Sequence, residues 1–241
     1  MPLPWFSSIA MLAATSLPMG TAFAQAGREV PREAQLTLAR LELAPRDNAT
    51  SLARLSRAWA DTVDLAADPA AAQNAARRAL DLAEQAVKVD PKNAQAHLAL
   101  AIACGKWTDF VDSKTKLALS RKIRTEAEQA IALDPTLDLA YHVLGRWHLG
   151  VASVNPLLRF GARLTVGALP PASLLEAVRN LEKAAELSPK TIIHHQHLAL
   201  AYQAMGKHNE AAHQWHLVLE LPATDREDEE AKRQARAAWG R

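Results

Sequence analysis

Leu198-Ala199-Leu200-Ala201-Tyr202-Gln203-Ala204-Met205-Gly206-Lys207-His208-Asn209-Glu210-Ala211-Ala212-His213-Gln214-Trp215-His216-Leu217-Val218-Leu219-Glu220-Leu221-Pro222 is the stretch on which the fold turns. It reads as one helix, a turn at Gly206 and a second helix stopped by a proline that cannot continue it. The same ending recurs upstream. Ala86-Val87-Lys88-Val89-Asp90-Pro91, Ala130-Ile131-Ala132-Leu133-Asp134-Pro135 and Ala184-Ala185-Glu186-Leu187-Ser188-Pro189 are full copies, and Leu41-Glu42-Leu43-Ala44-Pro45 is a partial one. A chain that repeats one helix pair with the same punctuation buries its apolar faces by stacking the copies. Small residues such as Ala79, Ala177 and Ala211 let two helices cross closely, and Leu181 or Trp215 fills the gap between neighbouring pairs.

Composition agrees and narrows the function. The chain has 241 residues, 49% apolar and 22% charged, which fits one or two globular domains with a sizeable core. Lys and Arg number 28 against 26 Asp and Glu, a net charge of +2. That balance excludes a protein whose main work is neutralising phosphates, so nucleic acid is not an expected partner. Glycine, at only 9 residues, is poor for phosphate loops and dinucleotide folds. The single cysteine, Cys104, rules out an intramolecular disulfide framework and a four-cysteine zinc site, and it reads as a small packing residue. No G-x-S-x-G elbow, glycine-rich phosphate loop or zincin helix occurs. The expectation is a non-enzymatic protein without a cofactor.

The first 24 residues carry no charged side chain, and Trp5 to Leu17 is mainly apolar. Pro18 and Gly20 break that run, and Ala22-Phe23-Ala24 offers the small-x-small pattern of a signal-peptidase site. Residues 1–24 are therefore expected to be a signal peptide and 25–241 the helical repeat domain of an exported, periplasmic protein. The alternative is an uncleaved anchor, since Leu3 to Ala24 is long enough to span a bilayer.

Leu144-Gly145 with His148, and Leu198-Ala199 with Tyr202, follow the L-G-x-x-Y spacing of a tetratricopeptide first helix. The fold expected is all-α: a tetratricopeptide-like α-solenoid of antiparallel helix pairs. Its units are stretched, with 44 residues from Pro91 to Pro135 and 54 from Pro135 to Pro189, against a regular repeat of about 34. The excess is placed between the first and second helices, around 106–122 and 151–172, with a smaller one near 66–74. Tyr141-His142-Val143-Leu144-Gly145-Arg146-Trp147, running on through Leu157-Leu158-Arg159-Phe160 to Gly167-Ala168-Leu169-Pro170-Pro171-Ala172-Ser173, resembles the signature of the regulator of microtubule dynamics family. The closing Leu221-Pro222-Ala223-Thr224-Asp225 and Asp228 resemble that family's L-P-x-x-D-x-x-D segment. The resemblance implies a binding scaffold, often membrane-tied at its N-terminus, with some relatives handling phospholipid. A tubulin partner is not expected of a chain with an export signal.

Candidate site residues follow from repeat positions. Positions 2, 5, 9 and 12 of each first helix line the concave surface of such an array, which gives Gln95, His142, Arg146, Gln196 and Gln203 as groove-binding candidates for a protein or peptide. The stretch 149–169 combines an apolar face with Arg159 and Arg163 beside Phe160. It reads either as a lid helix capping the groove or as a segment meeting an anionic membrane or lipid headgroup, and the alternative function is a phospholipid-binding or membrane-associated module that uses this stretch as its lid. Six of the nine histidines fall between 194 and 216; His194 with His197 and His213 with His216 have the i,i+3 spacing of metal ligands, a weaker alternative to packing. The six Lys and Arg against two Asp between 106 and 124 read as a solvated helix face. Thr224 and Glu227 form a candidate capping box ahead of a charged, solubilising last helix with Asp228–Lys232 and Glu229–Arg233 pairs.

Overall fold

The computed structural model describes residues 32–43, 48–66 and 68–239; the expected signal peptide lies outside them. Among the described residues every regular element is helical: α1 (Arg32–Leu43), α2 (Ala49–Val63), α3 (Pro69–Val89), α4 (Ala94–Trp107), a 3-10 turn (Thr108–Phe110), α5 (Ser113–Leu133), α6 (Asp138–Ala152), α7 (Pro156–Thr165), α8 (Leu174–Leu187), α9 (Ile192–Ala204), α10 (His208–Glu220) and α11 (Arg226–Trp239). This is the expected tetratricopeptide-like helical repeat.

Local side chains decide where the helices start and stop. Asn48, Asp68, Asn93, Asp112 and Ser173 each accept a backbone N–H of the first turn, at 2.8–3.1 Å, so the orphan donors there are met. Pro69 and Pro156 sit where a missing N–H costs nothing. At the other end, Asp90 and Asp134 take the same extended conformation (φ −144°, ψ 96° and φ −142°, ψ 95°). Each stands immediately before one of the repeated prolines, whose ring disfavours helix in the preceding residue.

The chain forms two compact units. The first holds the described residues up to Pro135 together with Val154–Pro170. In it α2 pairs with α3 and α4 with α5, and α4 also packs on both helices of the first pair. Buried Ala72, Ala75, Ala76, Ala79, Ala83 and Ala86 make one face of α3 almost flat, so α2 comes near enough for Ser56 Oγ to donate to the Ala79 carbonyl at 2.7 Å. The extra length takes two forms. α3 and α5 reach 21 residues each, so much of 66–74 and 106–122 goes into long second helices. The 151–172 stretch instead contains a separate helix, α7. Its far end is held in the first unit, where Arg121 donates to the Ala168 carbonyl at 3.1 Å and Gly167, at φ +120°, lies against Leu117.

The second unit holds Thr136–Ser153 and the described residues from Pro171 onward. α6 pairs with α8 and α9 with α10, and α11 covers α9 and α10. A β-carbon on Gly145 would lie 2.7 Å from Leu181 Cγ and 3.1 Å from the Ala177 carbonyl, so the L-G position is glycine because α8 passes there. Gly206 adopts φ +73° and closes α9 with bonds from its own N–H to the Gln203 carbonyl and from Lys207 to Tyr202. Trp215, Val218, Ile192, Ala199, Ala231 and Ala235 form the core beneath α11. Asp228 organises the start of α11: Asp225 accepts the Asp228 N–H, and Asp228 in turn accepts both the N–H and the hydroxyl of Thr224 at 2.8 Å. Asp228 is thereby buried and occupied, while Lys232 donates to the Leu219 carbonyl and Arg233 pairs with Glu230, so the expected i,i+4 pairs are not made.

Candidate functional site

α6 and α9 bring three histidines together inside the second unit. His194 Nε2 lies 2.8 Å from Asp138 Oδ2, and His194 Nδ1 lies 2.9 Å from His142 Nδ1. The carboxylate can only accept, so Nε2 of His194 carries its hydrogen and, in the neutral ring, Nδ1 is the acceptor. His142 must then donate from Nδ1. His197 donates from Nδ1 to the Ile193 carbonyl at 2.9 Å, and its ring stands edge-on to His142 with centroids 4.8 Å apart. This assignment leaves Nε2 of both His142 and His197 as bare acceptors, and both atoms are buried without a hydrogen-bond partner.

The electrostatics follow. Burial holds His142 and His197 well below the ordinary 6.5, and the neighbouring Arg146 cation and the other imidazoles push the same way. Burial also lowers His194, but the Asp138 bond opposes it. The cluster is a stack of neutral rings at neutral pH. A second pattern explains two further histidines. His97 Nε2 lies 2.9 Å from the Pro91 carbonyl with Nδ1 at Glu126, and His195 Nε2 lies 2.8 Å from the Pro189 carbonyl with Nδ1 at Gln214. Each ties the first helix of a pair to the preceding turn and to its partner helix.

The groove candidates divide accordingly. His142 is buried in the histidine stack, and Gln196 is buried with its amide donating to Gln234 of α11 at 2.9 Å; neither presents a side chain to a ligand, because neighbouring helices meet at those positions. Gln95 and Gln203 are exposed, and Arg146 is half-buried. Leu139, Ile193 and Leu200 are half-buried on the same rows. The alternative metal set is not assembled. His194 is bonded through both ring nitrogens, His197 is bonded at Nδ1 with its Nε2 buried, His213 and His216 are exposed on α10, and His216 faces Glu220 at 3.3 Å. Among the described residues no group of three or more His, Cys, Asp or Glu is arranged to hold a metal. Sequence reasoning missed Asp138, whose signal was its place one turn before His142; the partner 56 residues away was not visible.

Elsewhere the basic run is largely paired within the first unit: Lys106 with Asp64, Lys122 with Glu84 at 2.8 Å and Arg124 with Glu128 at 2.7 Å. Cys104 is buried on α4, and burial pushes its thiol up to about 12. α7 departs from the lid expectation. Its buried residue is Ala162, while Leu157, Phe160 and Leu164 are 76%, 59% and 70% exposed. The apolar face points to solvent rather than onto the core. Among the described residues no helix is long and apolar enough to cross a membrane.

Comparison with known proteins matches residues 22–239 to the model of the family described as regulator of microtubule dynamics protein 1-3. Regulator of microtubule dynamics protein 2 of Mus musculus is 28% identical over 184 residues, covering 76% of this chain and 45% of its own. Regulator of microtubule dynamics protein 3 of Xenopus laevis is 29% identical over 209 residues, covering 84% and 44%. The chain thus spans less than half the length of these relatives. Among solved structures, a thermophilic TPR protein of Thermus thermophilus is similar in fold, with TM-score 0.51 and 20% identity over 77% of this chain and 84% of that one.

Proposed function

The chain belongs to the regulator of microtubule dynamics protein 1-3 family, and on that premise we propose that it is a non-catalytic scaffold that binds a protein or peptide along the first helices of its repeats. The observation that carries this is the row Leu139, Arg146, Ile193, Leu200 and Gln203 in the second unit. All five are half-buried or exposed, three of them apolar and one a cation, on helices fixed by the Gly145 and Trp215 contacts. Rigid presentation keeps the ordering cost of binding low, and Arg146 places one half-buried cation among the apolar side chains. We also propose export to the periplasm, from the charge-free apolar start and Ala22-Phe23-Ala24.

Site-specific photo-cross-linking tests the surface. A cross-linker placed at Gln203 should capture a defined partner, one placed at His213 on α10 should not, and Arg146→Ala should weaken capture at Gln203. Equal capture from both positions, or none from either, overturns the reading. N-terminal sequencing of the mature protein should begin at Gln25.

A further inference from the structure

We infer that α7 is a docking helix for the surface of an anionic lipid bilayer, a role separate from partner binding along the first helices. Leu157, Phe160 and Leu164 recur three and four apart and form one outward stripe, opposite the buried Ala162. A soluble helix ordinarily turns such a stripe inward. Here three large apolar side chains are each more than half exposed on a helix of only 10 residues, anchored by Asn155 accepting the Leu157 N–H at 2.8 Å and by Pro156 in its first turn.

Charge selects the partner. Arg163 flanks the stripe next to Phe160, one turn from Arg159. Arg121 of α5 fastens the segment through the Ala168 carbonyl. No Asp or Glu occurs from Leu139 to Leu175, in a chain that has 26 of them. A convex apolar stripe edged by arginine in an acid-free stretch is the pattern of a helix lying in the headgroup region, where the rings and chains sink and the guanidinium groups meet phosphate. A protein partner would need a complementary groove, whereas a bilayer accommodates a convex stripe as it stands.

The full chain suits a single-label probe, because its one native cysteine is buried, which shields it from thiol reagents. Leu164→Cys carrying an environment-sensitive fluorophore reads α7, and Lys92→Cys on the α3–α4 turn reads the rest of the first unit. With vesicles of equal parts phosphatidylglycerol and phosphatidylcholine, emission at 164 should shift to the blue and brighten. It should stay unchanged with phosphatidylcholine alone, and the label at 92 should not respond. In the labelled chain, Phe160→Ser should weaken this response roughly tenfold and Arg163→Gln roughly fivefold at low salt, with unchanged circular dichroism. A chain that sediments with vesicles while the label at 164 stays silent overturns the inference, since another segment then makes the contact. So does an equal response to neutral vesicles. A blue shift that needs no vesicles and grows with protein concentration assigns the stripe to a second copy of the chain instead.

Discussion

Acid should loosen the second unit, and the histidine stack sets by how much. His142 and His197 are neutral in the folded chain and lie beside each other, His194 and Arg146, with Asp138 bonded only to His194. In the unfolded chain each titrates near the ordinary 6.5. Below that pH the unfolded state binds protons that the folded state refuses, so stability is complete above about 6.5 and falls as pH drops. An imidazole that stays neutral in the fold across the interval removes about 2 kcal/mol between pH 7 and pH 5. His142 and His197 together can therefore remove up to about 4 kcal/mol, with a smaller share from His194 because Asp138 favours its charged form. Urea unfolding followed by circular dichroism at the two pH values measures this directly. His197→Leu fills the site with an apolar side chain of similar size and removes one titrating group, so the loss should shrink by about half. A wild-type loss below about 1 kcal/mol, or a full loss in His197→Leu, refutes the neutral-stack assignment.

Two other expectations are simpler. Gly145→Ala gains helix propensity but forces a methyl into Leu181 and the Ala177 carbonyl; the net should be a loss of roughly 1–2 kcal/mol in urea unfolding, against a gain if α8 could move aside. Cys104 should resist thiol reagents at neutral pH in the native chain and react promptly once urea unfolds it, because both its burial and its raised thiol disappear together.

Much of the architecture was legible because punctuation is local. Asp90-Pro91, Asp134-Pro135 and Ser188-Pro189 each act on the residue before them, and Gly206 acts on its own backbone, so their effects need no knowledge of distant neighbours. The histidines were not legible for the opposite reason. His194 and His197 have ligand-like spacing, but their surroundings come from Asp138, His142 and Arg146 more than 45 positions earlier. Gln196 sat on a groove position by register and was taken by Gln234 of the last helix. One missed signal was in plain view. Pro91 to His97 and Pro189 to His195 share a six-residue spacing, and both histidines bond to those proline carbonyls. In α7 the apolar period was readable, but periodicity identifies a stripe without saying whether solvent or core receives it.

The division of the chain has a consequence for its biogenesis. The first unit includes Val154–Pro170, a segment that follows α6 in the sequence. A chain that has emerged only through Pro135 has therefore not yet supplied everything that unit contains. Leu117 still lacks its Gly167 neighbour and Arg121 its carbonyl acceptor. A fragment cut at Pro135 would therefore lack the two contacts that Gly167 and Ala168 make on α5.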